Sequence, residues 1–89
     1  SNAGKEVNDA LTQAQTAKGK IDLRTHQIES LEDAVRSTQL LMTHGNTTYL
    51  EVLTAQQTLL SAQLSQVTDR FDELQATVNL YQALGGGRH

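Results

Sequence analysis

The sequence has no cysteine, proline or tryptophan, and its 89 residues include only one Phe and two Tyr. Without cysteine, neither a disulfide nor a thiolate metal site can form. The scarcity of large side chains argues against a compact globular core. Leu, Val, Ala and Ile supply most of the apolar residues, and Gln, Thr and Ser are abundant, a composition that suits long exposed helices.

Positive charge and long apolar runs are also missing. The formal net charge of -3 does not provide the basic surface that nucleic-acid binding needs. No apolar run approaches the roughly 20 residues of a membrane-spanning helix, so we expect no inserted segment and no nucleic-acid partner. Residues 1–3 (Ser-Asn-Ala) are expected to be the scar of a cleaved expression tag. The absence of a targeting signal therefore has no bearing on location.

Helical signals stop and restart at one place in the middle of the chain. Gly45 is the residue type that can adopt the left-handed backbone closing a helix. Thr48 and Glu51 have the spacing of a capping box, in which the Thr48 hydroxyl accepts from the Glu51 amide and the Glu51 carboxylate reaches the Thr48 amide. Residues 44–48 are thus predicted to be the tip of an antiparallel helical hairpin, with Tyr49 packed at its neck.

The first predicted helix covers about residues 5–43 and has the pattern of a coiled coil. An apolar row recurs every seven residues, and a second row follows three residues later, interrupted by Arg24 and Thr38. The first row consists of Val7, Ala14, Ile21, Ile28, Val35 and Met42; the second includes Ala10, Ala17 and Leu31. Rows at this spacing are typical of the contact face of a left-handed coiled coil.

The second predicted helix, about residues 49–84, has three faces. One is a bulky apolar row: Leu50, Leu53, Leu60, Leu64, Val67, Phe71, Leu74, Val78 and Tyr81, with Gln57 interrupting it. Another is wholly polar and includes Glu51, Thr54, Thr58, Ser61 and Ser65. The third carries Val52, Ala55, Leu59 and Ala62, then polar residues around Asp69, then Ala76, Leu80 and Ala83. No residue from Val52 to Thr68 is charged.

Two apolar faces on one helix predict a neighbour on each side. A two-helix hairpin buries only one face per helix, so the face of Val52, Ala55, Leu59 and Ala62 is predicted to be spare and to need another helix. Together with the polar face, this pattern favours an all-α, antiparallel two-helix coiled-coil hairpin that is a fragment of a larger α-helical barrel. The helix is predicted to end at a Gly-rich tail, residues 85–89.

Residues 45–63 (Gly-Asn-Thr-Thr-Tyr-Leu-Glu-Val-Leu-Thr-Ala-Gln-Gln-Thr-Leu-Leu-Ser-Ala-Gln) resemble the last helical hairpin of the outer-membrane efflux proteins, the TolC-like family. Residues 78–87 (Val-Asn-Leu-Tyr-Gln-Ala-Leu-Gly-Gly-Gly) are similar to that family's C-terminal motif, in the form typical of drug and metal efflux members. The two motifs cover roughly half of the chain. The first helix matches the family in pattern only.

The resemblance implies a homotrimeric channel of the Gram-negative outer membrane with a long periplasmic tunnel of helices. Residues 4–84 would be its second periplasmic hairpin, and the inner-membrane pump would be an indirect partner. Its tip would dock a periplasmic adaptor, or membrane fusion, protein through His44, Gly45, Asn46, Thr47, Thr48, Tyr49 and Leu50. The entrance or lumen would be lined by Glu51, Thr54, Thr58, Ser61 and Ser65. Thr54 and Thr47 stand where some members carry an acid and an Arg, so an acidic ring would rest on Glu51.

The residues themselves give no sign of catalysis, a cofactor or a metal site. His26, His44 and His89 lack ligand spacing, and each is expected to be solvated. A histidine kinase dimerisation hairpin with His26 as phospho-acceptor is the enzymatic alternative, but the acid and the Pro typical after that His are absent. A free-standing structural coiled-coil hairpin is the other alternative, and it should lack both the polar stripe and the C-terminal motif.

Overall fold

The computed structural model describes residues 2–86 and contains two helices, α1 (Asn2–Thr43) and α2 (Tyr49–Gly86). Residues 44–48 join them, and no strand occurs within the described residues. The predicted all-α helical hairpin is confirmed. Neither helix, within residues 2–86, has a stretch apolar enough and long enough to cross a membrane.

The helices extend slightly beyond their predicted ends. Helix α1 begins at Asn2 and not near residue 5, so Asn2 and Ala3 of the predicted tag scar are helical. Helix α2 continues through Gly85 and Gly86, where the sequence predicted a stop. Glycine lowers helix propensity without forbidding helical dihedrals, and helix boundaries vary by one or two residues. The predictions for Ser1 and residues 87–89 lie outside the described residues.

Two compact units make up the chain, and each has its own small core. The base unit comprises the described residues of Ser1–Asp22 and Val67–His89, and the tip unit comprises Leu23–Gln66. The core of the base unit consists of Ala10, Ala17, Ile21 and Ala76, with Asp69 also buried. The core of the tip unit consists of Val35, Val52 and Ala62. Both cores are built from small or medium side chains, which allow the helices to approach closely.

The assignment of the apolar faces of α2 was wrong. We define the alanine seam as the row Val52, Ala55, Leu59, Ala62, Gln66, Asp69, Glu73, Ala76, Leu80 and Ala83. All of its residues are buried or half-buried, so this face, predicted to be spare, packs against α1. We define the bulky stripe as the row Leu50, Leu60, Leu64, Val67, Phe71, Leu74, Val78 and Tyr81. Every one of these side chains is exposed.

Side-chain size explains why α1 packs on the alanine seam. In the base unit, α1 contributes Ala10, Ala14 and Ala17, and small residues on both helices permit a short interaxial distance. The bulky stripe lies about 150° away around α2, from the 3.6-residue repeat. If α2 presented that stripe to α1, the large side chains would separate the helices and expose the alanines.

Polar contacts flank the alanine core of the base unit. Lys20 Nζ lies 3.8 Å from Asp69 Oδ1 and 3.9 Å from Asp72 Oδ2. Asn79 Nδ2 donates a 3.0 Å hydrogen bond to Gln13 Oε1, and Asn79 Oδ1 accepts one of 3.0 Å from Gln75 Nε2. The contacts made by Lys20 and Gln13 join α1 to α2 and require the face of α2 that the structure shows, and the Gln75–Asn79 bond orients Asn79 within α2.

Candidate functional site

The turn at the tip is built by local backbone chemistry. Gly45 has a φ of 72°, the left-handed conformation that its sequence position predicted. Its amide donates to the Met42 carbonyl at 3.0 Å, and the Asn46 amide donates to the Leu41 carbonyl at 2.8 Å. This pair of hydrogen bonds is a Schellman motif, which satisfies carbonyls that the end of α1 would leave unpaired. Apart from Gly45 itself and its two neighbours in the chain, no residue has an atom within 4 Å of where a Cβ on Gly45 would stand.

The start of α2 is capped differently from the predicted reciprocal box. The Glu51 amide donates to Thr48 Oγ1 at 3.3 Å, which confirms Thr48 as the N-cap. The Glu51 carboxylate, however, accepts a hydrogen bond from the Thr47 hydroxyl and does not reach the Thr48 amide. Thr47 lies one helical turn before Glu51, and its hydroxyl binds the Glu51 carboxylate in place of the Thr48 amide. Thr47, predicted only as a docking residue, therefore also orients the one acid at the tip.

His44 lies just after the end of α1 and is exposed, as expected. Its ring contacts a backbone carbonyl of that helix. Nδ1 lies 2.9 Å from the carbonyl oxygen of Leu40. A carbonyl can only accept, so Nδ1 carries the proton in this contact. The tip thus presents an oriented imidazole beside Gly45.

Most residues predicted to dock a partner are exposed, and the structure adds apolar neighbours. Tyr49 was predicted to pack at the neck, but it is 57% exposed, whereas Val52 of the same helical turn is buried. Leu40, Leu41 and Met42 at the end of α1 are also exposed, although Met42 belongs to the predicted contact row of that helix. The run of three large apolar residues beside the turn was the sequence feature that could have identified this surface.

The four hydroxyl residues predicted to line a lumen lie together in the tip unit. They border one open groove of about 350 Å³ that is also lined by residues of α1. The groove residues are Thr54, Gln57, Thr58, Ser61, Ala62 and Ser65 of α2, and Arg24 and Gln27 of α1. Glu51 is not among them, so the structure separates the predicted acidic residue from the hydroxyl groove.

Two of these hydroxyls have fixed directions. Thr54 Oγ1 donates to the Leu50 carbonyl at 2.9 Å, and Thr58 Oγ1 donates to the Thr54 carbonyl at 3.0 Å. Their protons are used within the helix, so each oxygen is left as an acceptor. Water or another donor can bind there without meeting a charge on α2.

Arg24 is a groove residue that sequence reasoning did not assign. Its Nη1 donates a 2.9 Å hydrogen bond to Oε1 of Gln27, and its side chain is half-buried. Arg24 interrupts an apolar row of α1, and a charged residue in such a row was the signal for it. The groove therefore combines neutral acceptors from α2 with one cation from α1. Among the described residues, no group of three or more His, Asp or Glu side chains is placed to hold a metal ion.

Comparison with known proteins adds the family. The model of the family described as "Outer membrane efflux protein" matches residues 1–86. The chain belongs to the outer membrane efflux protein family. The resemblance seen in residues 45–63 and 78–87 is thereby confirmed, and the match includes helix α1, whose sequence had shown only the pattern.

Relatives within this family match nearly the whole chain. The cation efflux system protein CusC of Escherichia coli K12 is 34% identical over 86 residues, which is 97% of this chain and 19% of CusC. The probable efflux pump outer membrane protein TtgC of Pseudomonas putida KT2440 is 34% identical over 85 residues, which is 96% of this chain and 18% of TtgC. The chain thus spans about a fifth of the length of these curated relatives. No solved structure shows a significant match to it.

Proposed function

We propose that this chain is a periplasmic hairpin of a trimeric outer-membrane efflux channel in a Gram-negative cell. Its helices would form part of the tunnel wall, and its tip would dock a periplasmic adaptor protein in the export of drugs or metal ions. The observation that carries the proposal is the three-sided character of α2. One side packs on α1, one is an exposed apolar stripe, and one is an exposed polar face.

The bulky stripe supports a place in a wall of helices. Phe71, for example, is 64% exposed, and seven other large apolar side chains of the stripe are exposed with it. A continuous apolar stripe of this kind costs free energy in water until another helix covers it. In the trimer, helices of the same channel would cover the stripe, and the remaining polar face would border the lumen.

The hydroxyl groove supports a role as a wetted surface and not as a tight binding site. Its neutral hydroxyl acceptors can bind water, and they carry no charge that would hold one solute tightly. A surface of this kind suits a channel for diverse solutes. CusC is named for cations, whereas the Pseudomonas putida relatives are named for antibiotics, toluene and solvents. We propose export of drugs or metal ions through this surface, with the inner-membrane pump as an indirect partner.

The tip supports adaptor docking because it is open, structured and partly apolar. The open space around Gly45 leaves room for a partner helix to approach the backbone. Exposed Tyr49 and Leu50 offer apolar contacts beside it. Three copies of Glu51, each oriented by Thr47, would place an acidic group from each protomer at the entrance, with neutral Thr54 behind them.

Substitution of Gly45 in the full-length channel tests docking. Gly45→Trp fills the open space and strains the backbone, so we expect reduced drug or metal resistance with normal amounts of trimer in the outer membrane. Gly45→Asn separates backbone strain from added volume, because Asn tolerates the left-handed conformation and adds only a side chain. Thr58→Ala, in the groove and away from the tip, is the matched control and should keep wild-type resistance.

Cross-linking tests the same contact directly. The chain has no cysteine of its own, so a single introduced thiol reports one position. Cysteines at Asn46 or Thr47 should cross-link to a cysteine in the adaptor tip, whereas one at Ser65 should not. Wild-type resistance in Gly45→Trp cells together with no cross-link at the tip would show that Gly45 only ends a helix.

A further inference from the structure

A single carboxylate interrupts the most regular feature of α2. Every seventh residue of the alanine seam from Ala55 onwards is Ala, at positions 55, 62, 76 and 83, except that Asp69 occupies the middle position. Asp69 is 2% exposed, whereas Ala76 is completely buried one heptad later. Among the described residues, Asp69 is the only buried one that is polar or charged. Because the other positions of this row are all Ala, the presence of a carboxylate at position 69 requires a physical explanation.

Burying a carboxylate is costly unless cations and hydrogen-bond donors compensate it. Helix α1 supplies a cation, since Lys20 Nζ lies 3.8 Å from Asp69 Oδ1. The exposed side of Lys20 also faces Asp72 at 3.9 Å, where water screens the attraction. When α1 packs on the seam, the Lys20 ammonium therefore offsets the free-energy cost of burying the Asp69 carboxylate. Any helix that lacks a cation at this place would bury Asp69 at a net loss.

The alanine seam without Asp69 would accept many partners. A surface of small side chains allows many apolar helices to pack closely against it, so it gives little specificity for one apolar helix over another. The chain itself carries a competing surface, because the base unit exposes Val67, Phe71, Leu74, Val78 and Tyr81. A second copy that placed this surface on the alanine seam would surround Asp69 with apolar side chains.

We propose that Asp69 restricts the alanine seam to a helix that presents a cation at this place, which in this chain is α1 with Lys20. Its carboxylate admits the helix that carries Lys20 and rejects apolar helices, including the bulky stripe of another copy. Asp69 thus acts as a determinant of pairing specificity and not as a source of stability. The bulky stripe remains the surface of α2 through which other helices pack.

A pair of cysteines reports whether α1 occupies the seam. Gln13 and Asn79 are hydrogen-bonded through their side-chain amides across the base unit, so a short bis-methanethiosulfonate reagent can join Gln13→Cys to Asn79→Cys within one chain when α1 lies on its own seam. When the bulky stripe of another copy displaces α1, the two thiols separate and the internally cross-linked fraction falls. Non-reducing electrophoresis separates internally cross-linked chains from the rest. Association through the bulky stripe outside the seam leaves the cross-link within one chain.

In this reporter background, Asp69→Ala completes the alanine row. We expect helix content and the thermal midpoint to be unchanged or higher, because Lys20 stays solvated, and we expect the internally cross-linked fraction to fall about threefold or more. Asp72→Ala removes the same charge from the same lysine at an exposed position and should leave the fraction unchanged. Asp69→Asn keeps a buried polar group but removes the charge, so its cross-linked fraction should lie between those of the wild type and Asp69→Ala.

Two simpler explanations predict different results. If Asp69→Ala and Asp72→Ala lower the internally cross-linked fraction equally, net charge is responsible and the proposal is overturned. If Asp69→Ala loses its helical circular dichroism, Asp69 is needed for folding itself, which also overturns it. An unchanged cross-linked fraction in a folded Asp69→Ala variant shows that the seam selects α1 without Asp69 and overturns the proposal.

Discussion

The two apolar faces of α2 differ in a way that hydrophobicity does not explain. The alanine seam contains small side chains and a carboxylate, yet it is the face packed on α1. The bulky stripe contains Leu, Val, Phe and Tyr, yet it is exposed throughout the described chain. Close approach of small side chains on both helices, together with polar contacts at their flanks, decides the packing within the hairpin. The larger apolar area is left for other partners.

The two units differ in a similar way. In the base unit, the alanine core is flanked by the Lys20–Asp69 contact and by the hydrogen bond between Gln13 and Asn79. In the tip unit, the core consists of Val35, Val52 and Ala62, and its α2 segment carries no charge after Glu51. The base unit thus combines tight packing with specific polar contacts. The tip unit relies on apolar side chains and on the capped turn.

Overfilling the alanine seam should have the largest effect. Ala76→Leu adds three carbons at a position with no exposed surface, so we expect it to lower the free energy of unfolding by about 2–3 kcal/mol. Ala34→Leu adds the same atoms at an exposed position of α1 and should be nearly neutral. Urea unfolding followed by circular dichroism measures both. Equal stability of the two variants would mean that the helices are not closely packed at Ala76.

A pair of valines compares the seam with the stripe directly. Val52→Ala, at a buried seam position, should lower the free energy of unfolding by about 1–2 kcal/mol because it removes two buried carbons. Val67→Ala makes the same change on the bulky stripe, where the side chain is 67% exposed, and should cost less than about 0.5 kcal/mol. Thermal or urea unfolding of the monomer distinguishes them. The reverse order would restore the original assignment of the faces.

The stripe should instead control association of the isolated chain. We expect concentration-dependent self-association through the bulky stripe, and Phe71→Glu should raise the dissociation constant about tenfold, or about 1.4 kcal/mol. Thr68→Glu introduces the same charge on the polar face and should change it little. Sedimentation velocity over a range of concentrations measures the shift. A wild-type chain that stays monomeric at millimolar concentration contradicts the role given to the stripe.

The sequence by itself determined the hairpin, its tip and its family. The left-handed Gly45 and the Thr48 cap follow from interactions within a few residues, and heptad rows are a property of one helix at a time. The hydroxyl row on α2 could be predicted for the same reason. The tip motif and the C-terminal motif together were sufficient to indicate the outer membrane efflux protein family.

Only the tertiary structure decided which face of α2 packs on α1. Both faces repeat every seven residues, so periodicity alone could not distinguish them; the choice depends on the small residues, Lys20 and Gln13 that α1 presents across the interface. The same applies to Arg24, which joins the hydroxyl groove from the other helix, and to Tyr49, which is exposed although Val52 of the same helical turn is buried. Contacts between residues far apart in sequence set these features, and a pattern within one helix does not contain that information.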